Sequence, residues 1–290
     1  MQPVIRLLTE ADRQATLEFL AAESAFNLFI LADIHNYGFA TDFQQVWGDF
    51  SADGRLRAVL LRYFRNFIPY GRDGFDAEGL ARVIQRRVGE EAGNRWEVSG
   101  KTEVVERLRP YTQQILDWDR RRSLYFAELA GDGRLAGLRQ ELPGSVQLRR
   151  MQPADAPLIG DLYRRIAEFR AFDEDAEREL HHSLATGAAR GYWLEHEGRA
   201  VAAVKTAGEN PYSAMVVGVA TDPRFRRRGF ATQLMVRLCQ EVLAEGKRLC
   251  LFYDNPEVGA IYRRVGFRDI GIWDMVPARG GGAPGATSAR

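Results

Sequence analysis

The residues with the most chemistry in them lie between Met215 and Val236, MVVGVATDPRFRRRGFATQLMV. Met215 to Ala220 is an apolar, β-rich run, which predicts a central strand. Thr221-Asp222-Pro223 is turn chemistry that ends it. Arg226-Arg227-Arg228-Gly229-Phe230-Ala231 then opens a helix whose apolar face is Leu234, Met235, Leu238 and Val242. A strand that runs through a turn into a fresh helix N-terminus aims several unpaired backbone N–H groups at one point. Gly229 and Ala231 are small enough to let a ligand approach that backbone. With the helix dipole this makes an anion cradle suited to a phosphate or pyrophosphate, and the arginines beside it offer a clamp for a phosphate oxygen. An arginine cluster alone is better read as a solvated basic turn. Its spacing changes that reading.

The spacing is Arg-x-x-Gly-x-Ala, from Arg226 through Gly229 to Ala231. It lacks the Gly-Lys-Ser/Thr ending of a Walker loop, and it is not the dinucleotide fingerprint. A second element follows about 24 residues on, in Leu249 to Phe267, LCLFYDNPEVGAIYRRVGF. A strand ends at Asp254-Asn255, a helix carries Tyr262, and Gly266-Phe267 closes that helix and begins another strand. The pair resembles the acyl-CoA pyrophosphate motif (Arg/Gln-x-x-Gly-x-Gly/Ala) and the Asn…Tyr-x-x-x-Gly-Phe signature of the GNAT acyltransferase superfamily. The resemblance covers roughly Val146 to Val276.

That resemblance implies an α/β (α+β) fold of two tandem GNAT-like domains, each a mixed, mostly antiparallel twisted sheet flanked by helices. It implies acetyl-CoA, or another short acyl-CoA, lying along the strand before the phosphate loop. Val219, Ala220 and Thr221 would then hold the pantetheine arm by backbone pairing. Arg226, Arg227, Arg228, Gly229, Phe230, Ala231 and Thr232 would surround the pyrophosphate. Asn255 would contact the cofactor where the central strands part; its alternative is a plain strand-end cap. Tyr262 would touch the cofactor and protonate the departing thiolate, work that a phenol near pKa 10 can do at neutral pH. Its alternative is an aromatic residue packing on the sheet.

The general base stays open. Members of the family carry an acid in the strand before the loop or in the next strand, but Met215 to Gly218 and Cys250 fill those places here. Glu168, Asp173, Glu209, His181 and His182 are candidates, each weak, with Glu168 and Glu209 put forward. A water chain is a further route. Cys250, in an apolar strand without a neighbouring His, reads as an inert core thiol. The four histidines show no metal-ligand spacing, so no metal is expected.

Elements that must position these residues come in two ordered halves. IRLLTEADRQATLEFL near the start resembles QLRRMQPADAPLIGDLY, and VWGDFSADGRLRAVLLRYF resembles YWLEHEGRAVAAVKTA. Each half reads as strand, helix, hairpin, helix, strand, helix, which predicts two copies of one domain. The glycine-rich stretch 131–145 predicts the boundary, giving domains 1–140 and 146–278. The Gly-, Ala- and Pro-rich residues 279–290 predict a disordered tail. Where the first half should have a phosphate loop, Ile68 to Phe75 reads IPYGRDGF, without the motif. The first half is therefore expected to be a degenerate copy that covers one side of the active domain. Rings between Ala25 and Trp47 would mostly be core, with some in an acceptor wall.

Composition sets the outer bounds. Of 290 residues, 40 are basic and 39 acidic, a net charge of +1, which supplies no field to gather a nucleic acid. Two cysteines argue for a reducing, cytoplasmic setting. No 18-residue apolar run or secretory leader is visible, so no membrane span is expected. The expectation is an acyl-CoA-dependent N-acyltransferase that moves acetyl directly to a primary amine of a small molecule, peptide or protein. The alternative is a non-catalytic acyl-CoA sensor.

Overall fold

Alternating apolar residues and glycine-closed turns set the strands of both halves. The computed structural model describes residues 4–90, 95–169 and 172–280. The chain forms two compact units, one running to Phe126 and resuming at Ile270, the other spanning Ala127–Asp269.

In the first unit the order is β1 (Val4–Leu7), α1 (Arg13–Ala21), α2 (Leu28–Tyr37), β2 (Gln44–Phe50), β3 (Leu56–Tyr63), β4 (Asn66–Gly71), α3 (Ala77–Glu90), β5 (Glu97–Lys101), α4 (Thr102–Thr112) and β6 (Arg122–Leu129), whose last three residues belong to the second unit. Strands β1 to β4 pair antiparallel in succession, and β4 meets β5 parallel. The core is apolar and aromatic, with Leu60, Phe67, Leu80, Ile84 and Val105 fully buried. From the ring-rich stretch, Phe26, Phe39 and Trp47 are buried, whereas Tyr37 is 42% exposed.

The second unit contains β7 (Gln147–Arg150), α5 (Ala156–Arg164), α6 (Glu174–Ala185), β8 (Gly191–His196), β9 (Arg199–Ala207), β10 (Ser213–Thr221), α7 (Phe230–Ala244), β11 (Arg248–Tyr253), α8 (Pro256–Val265) and the start of β12 (Arg268–Pro277). Here too the first four strands pair antiparallel and the next joins parallel, β10 with β11. Both units therefore repeat one element order and one pairing pattern in a mixed, mostly antiparallel sheet flanked by helices. The helical face of α7 is as the period predicts, with Leu234, Met235, Leu238 and Val242 all fully buried.

Two stretches differ from the sequence expectation. The glycine-rich segment packs into the second unit. Leu135 and Val146 are buried in the second unit's core, and Leu138 and Leu142 pack against it. Apolar side chains spaced between the glycines explain this: burying a Leu is worth about 2 kcal/mol. The final strand also leaves the second half of the chain. Trp273–Pro277 of β12 pairs antiparallel with Lys101–Glu97 of β5, inside the first unit. Arg279, placed in the tail by composition, donates its N–H to the Ile115 carbonyl (2.8 Å) and its Nε to Gln113 (3.0 Å). The rest of the expected tail, 281–290, lies outside the described residues. Among the described residues no helix is long and apolar enough to cross a membrane.

Candidate active site

Strand β10 and the turn after it create the site by two departures from regular geometry. The first is a bulge. The β9–β10 register shifts between Val217 and Ala220, and Gly218 sits at φ +63°. Only glycine takes that conformation without strain, and a bulge redirects the backbone groups beside it. The Tyr163 hydroxyl, from buried α5, donates to the Gly218 carbonyl at 3.1 Å. In a trans peptide the next N–H points the opposite way, so this bond also sets the direction of the Val219 N–H.

The second departure is the parting of two strands. The parallel ladder runs only from Ser213 to Met215 of β10, against Arg248 to Cys250 of β11. Beyond it Val219 lies in the bulge, and Ala220 and Thr221 keep β9 on one edge, opposite Ala203 and Ala202. Their other edge has no strand partner among the described residues. It offers backbone groups to an extended ligand, as a sheet edge does.

The chain then turns on Asp222, which is 2% exposed. Its carboxylate accepts from the Arg224 N–H at 3.0 Å and lies 3.2 Å from Arg165 Nε. Burial alone would raise its pKa. The bonds from Arg224 and the nearby Arg165 outweigh burial and hold it below the ordinary carboxylate value. The turn is thereby fixed. Arg227 (φ +62°) and Gly229 (φ +76°) are both left-handed, and Gly229 is the N-cap of α7. A non-glycine residue in this region costs about 1 kcal/mol. Among the described residues, the N–H groups of Arg227 through Thr232 donate to nothing. They converge at the positive end of a 15-residue helix. Gly229 is exposed, and a Cβ there would meet only Gln140 Oε1, at 3.4 Å. The cradle is therefore open, and its donors fit a pyrophosphate.

Arginine placement is less uniform than the RFRRR run suggests. Arg226 donates to the Thr221 carbonyl at 3.2 Å and faces Glu168 at 3.5 Å. Arg228 lies over the Phe225 ring at 5.1 Å. The core segment 138–140 is clasped to α7 by Gln233, which accepts from the Gln140 N–H and donates to the Leu138 carbonyl, both at 2.9 Å. The motif gave no signal of Gln140 or Gln233, because neither belongs to it.

At the parting of the strands, Asn255 caps α8. Its Oδ1 accepts from the Glu257 N–H at 2.9 Å, which is worth about 1 kcal/mol. The cap leaves the side-chain amide N–H₂ free to donate. Tyr262 of α8 is 8% exposed and packs between Tyr253 and Phe267. Burial, with Asp254 adding to it, raises its hydroxyl to about 12. The ring of Tyr262 packs, and its phenol stays protonated at every working pH.

The base candidates do not gather. Glu209 precedes β10, at the far end from the cradle, on the order of 25 Å away at strand rise. Its carboxylate bonds Arg190 (2.7 Å), Thr206 (2.6 Å) and Lys247 (3.3 Å). Burial pushes its pKa up, but these partners outweigh burial and hold it below the usual value. Asp173 caps α6 by accepting from the Ala176 N–H, and His181 and His182 are exposed on that helix. Cys250 is fully buried, and burial pushes its thiol up, which removes it as a nucleophile. Among the described residues no three His, Cys, Asp or Glu side chains form a metal cluster.

The corresponding turn of the first unit is filled by its own acids. The buried Asp49 carboxylate accepts from the Asp76 N–H at 2.9 Å, and Asp76 accepts from the Gly79 N–H at 2.8 Å, at the start of α3. Arg57 holds Asp49 at 2.7 Å. These side chains accept from the backbone N–H groups of Asp76 and Gly79 at the start of α3.

Residues 157–267 match the model of the acetyltransferase (GNAT) family. That stretch of the chain, within the second unit, is similar to the GNAT acetyltransferases. Over 118 residues it is 28% identical to serotonin N-acetyltransferase 2, chloroplastic, from Oryza sativa subsp. japonica, a match covering 39% of this chain and 56% of that protein. The chain thus matches about half the length of that curated relative. Among solved structures it is similar to a tandem GNAT protein from the clavulanic acid biosynthesis pathway (TM-score 0.63, 15% identity, covering 98% of this chain and 100% of that one). A GCN5-related N-acetyltransferase from Kribbella flavida gives a TM-score of 0.60 at 15% identity, covering 94% and 97%. At such identities the likeness is one of fold.

Proposed function

We propose that the second unit binds acyl-CoA and transfers the acyl group, acetyl in the simplest case, to a primary amine of a small molecule, peptide or protein. The observation that carries this reading is the open cradle of six undonated N–H groups at the start of α7, placed directly after a strand edge without a partner. Pyrophosphate meets the cradle with Arg226, Arg227 and Arg228 around it, and the pantetheine arm pairs along Val219, Ala220 and Thr221. Asn255 donates to the arm from across the cleft. The amine attacks the thioester directly, and charge building on the carbonyl oxygen meets the Val219 N–H. Tyr262 gives its proton to the departing sulfur. No residue forms a covalent intermediate in this route, since neither thiol is activated. Glu168, 3.5 Å from Arg226, is kept as the base candidate beside the loop, while Glu209, held by Arg190, is assigned a structural part. The first unit, with carboxylates at its corresponding turn, binds no acyl-CoA.

One observation favours a second reading, a sensor that binds acyl-CoA without turnover: no unengaged acid stands in β10 or β11. Mixing the protein with acetyl-CoA and a broad panel of amines while following free thiol separates the two. Acceptor-dependent thiol release supports the transferase. Tight binding without thiol release on any amine supports the sensor.

A further inference from the structure

Forty basic side chains in this chain include only three lysines. Two are held by carboxylates: Lys101 lies 2.6 Å from Glu23, and Lys247 lies 3.0 Å from Glu245 and 3.3 Å from Glu209. The Lys205 side chain makes no hydrogen bond or ion pair among the described residues. An amine placed so is costly to keep charged, and evolution has used arginine almost everywhere else in this chain.

Its position gives it reach. Lys205 lies in β9, directly opposite Val217 of β10, and is half-buried. Its Cγ is 3.5 Å from the point where a Cβ on Gly218 would stand. The side chain therefore passes beside the bulge at Gly218, near the Tyr163 hydroxyl that bonds the Gly218 carbonyl. This is the backbone to which the reading above assigns the thioester end of acyl-CoA. Burial lowers the pKa of Lys205, and the opposing charge of Glu179 on α6 only partly offsets it. A larger share of the side chain is then free amine, the nucleophilic form.

We propose that Lys205 is an internal acyl acceptor, taking the acyl group from acyl-CoA when no external amine is present; this rests on the acyl-CoA reading of the same site. The Nζ lone pair forms an N–C bond to the thioester carbonyl, the C–S bond breaks, and the proton lost by nitrogen ends on the departing thiolate. The products are an Nζ-acyl-lysine and free CoA. Acylation removes a charge whose burial Glu179 only partly offsets, so the modified side chain suits its surroundings better than the ammonium does.

The test needs no acceptor. The full chain is incubated with acetyl-CoA alone, and peptide mass spectrometry locates the acetyl group while calorimetry measures CoA binding separately. Lys205 should be acetylated roughly 10²-fold faster than Lys101 or Lys247, because held reactants gain a large effective concentration. The heat-unfolded chain should label all three lysines alike. Lys205→Arg, with Lys205→Gln as a second variant, should bind CoA normally and take up acetyl only at the slow rate of Lys101 and Lys247. CoA binding with Lys205 unmodified, or modified no faster than Lys247, overturns the proposal and leaves the acyl-CoA reading standing. Absence of CoA binding in the unaltered chain overturns both.

Discussion

The Tyr163 hydroxyl donates to the Gly218 carbonyl at 3.1 Å, and it stands only 2.2 Å from where a Cβ on Gly218 would be. One helix residue thus both needs and enforces glycine at the bulge of β10. Gly218→Ala meets the hydroxyl and also leaves the left-handed region without its glycine. It should cost about 2 kcal/mol or more and lower turnover, since the Val219 N–H is re-aimed. Tyr163→Phe should lower kcat with little change in acyl-CoA affinity, because the lost bond orients a peptide rather than the cradle. In the double variant the clash is relieved, so the two losses should add to less than their sum. Strict additivity in unfolding and kinetic measurements would show that the pair is not coupled.

A charge placed in the cradle tests the phosphate assignment. Gly229→Glu puts a carboxylate at the N-terminus of α7, where six N–H groups await an anion. The space around the position is open, so the fold should survive with a strain of about 1 kcal/mol from φ +76°. CoA affinity should fall below detection in calorimetry. Unchanged affinity would remove the cradle from the account.

Tyr262→Phe separates the acid from the packing partner. The ring keeps its contacts with Tyr253 and Phe267, and no hydrogen bond of the hydroxyl is lost among the described residues. Stability and CoA affinity should therefore hold. Turnover should drop by roughly 10²-fold or more, the usual scale for a lost general acid. A phenol raised to about 12 is protonated below that pH, so it should add no limb to the rate profile between neutral and mildly alkaline pH. Equal turnover in the Phe variant would reduce Tyr262 to packing.

How much of this was legible in the sequence follows from how local each feature is. The Arg226–Ala231 loop and the Asn255–Tyr262 pair were readable because turn, small residue and helix start lie within a few positions. Gly218 inside a strand is itself a bulge signal, but its partner Tyr163 lies 55 residues earlier and only packing brings it there. The scarcity of lysine was countable, yet its meaning needed the β9–β10 register. Pairing of β12 with β5 joins residues more than 170 positions apart, and no local pattern encodes that choice. Glu209 looked available because its partners Arg190 and Lys247 lie 19 and 38 residues away in sequence.

Those partners also predict an acid response. Arg190 donates to Glu209 and Glu245, and it bonds Glu241 at 3.2 Å. The hydrogen bond from Arg190 is the main cause that brings Glu245 down to about 2, and Glu209 is likewise held low against its burial. Both folded values lie below the ordinary glutamate value of 4.5, so the cluster stabilises the fold above that pH. The contribution should fade as pH drops from about 4.5 toward about 2. Glu245 is 39% exposed, so solvent screens its share, and most of the effect belongs to buried Glu209. Arg190→Met should cost about 3 kcal/mol at neutral pH, because it leaves the Glu209 carboxylate with Lys247 alone among the basic residues. In that variant the fall in stability across the acid window should flatten. Urea unfolding at a series of pH values measures both, and an equally steep acid decline in Arg190→Met would place the titrating carboxylates elsewhere. Glu209→Gln should lower stability while leaving the turnover of the folded enzyme intact, since a carboxylate at the far end of β10 has no proton to move.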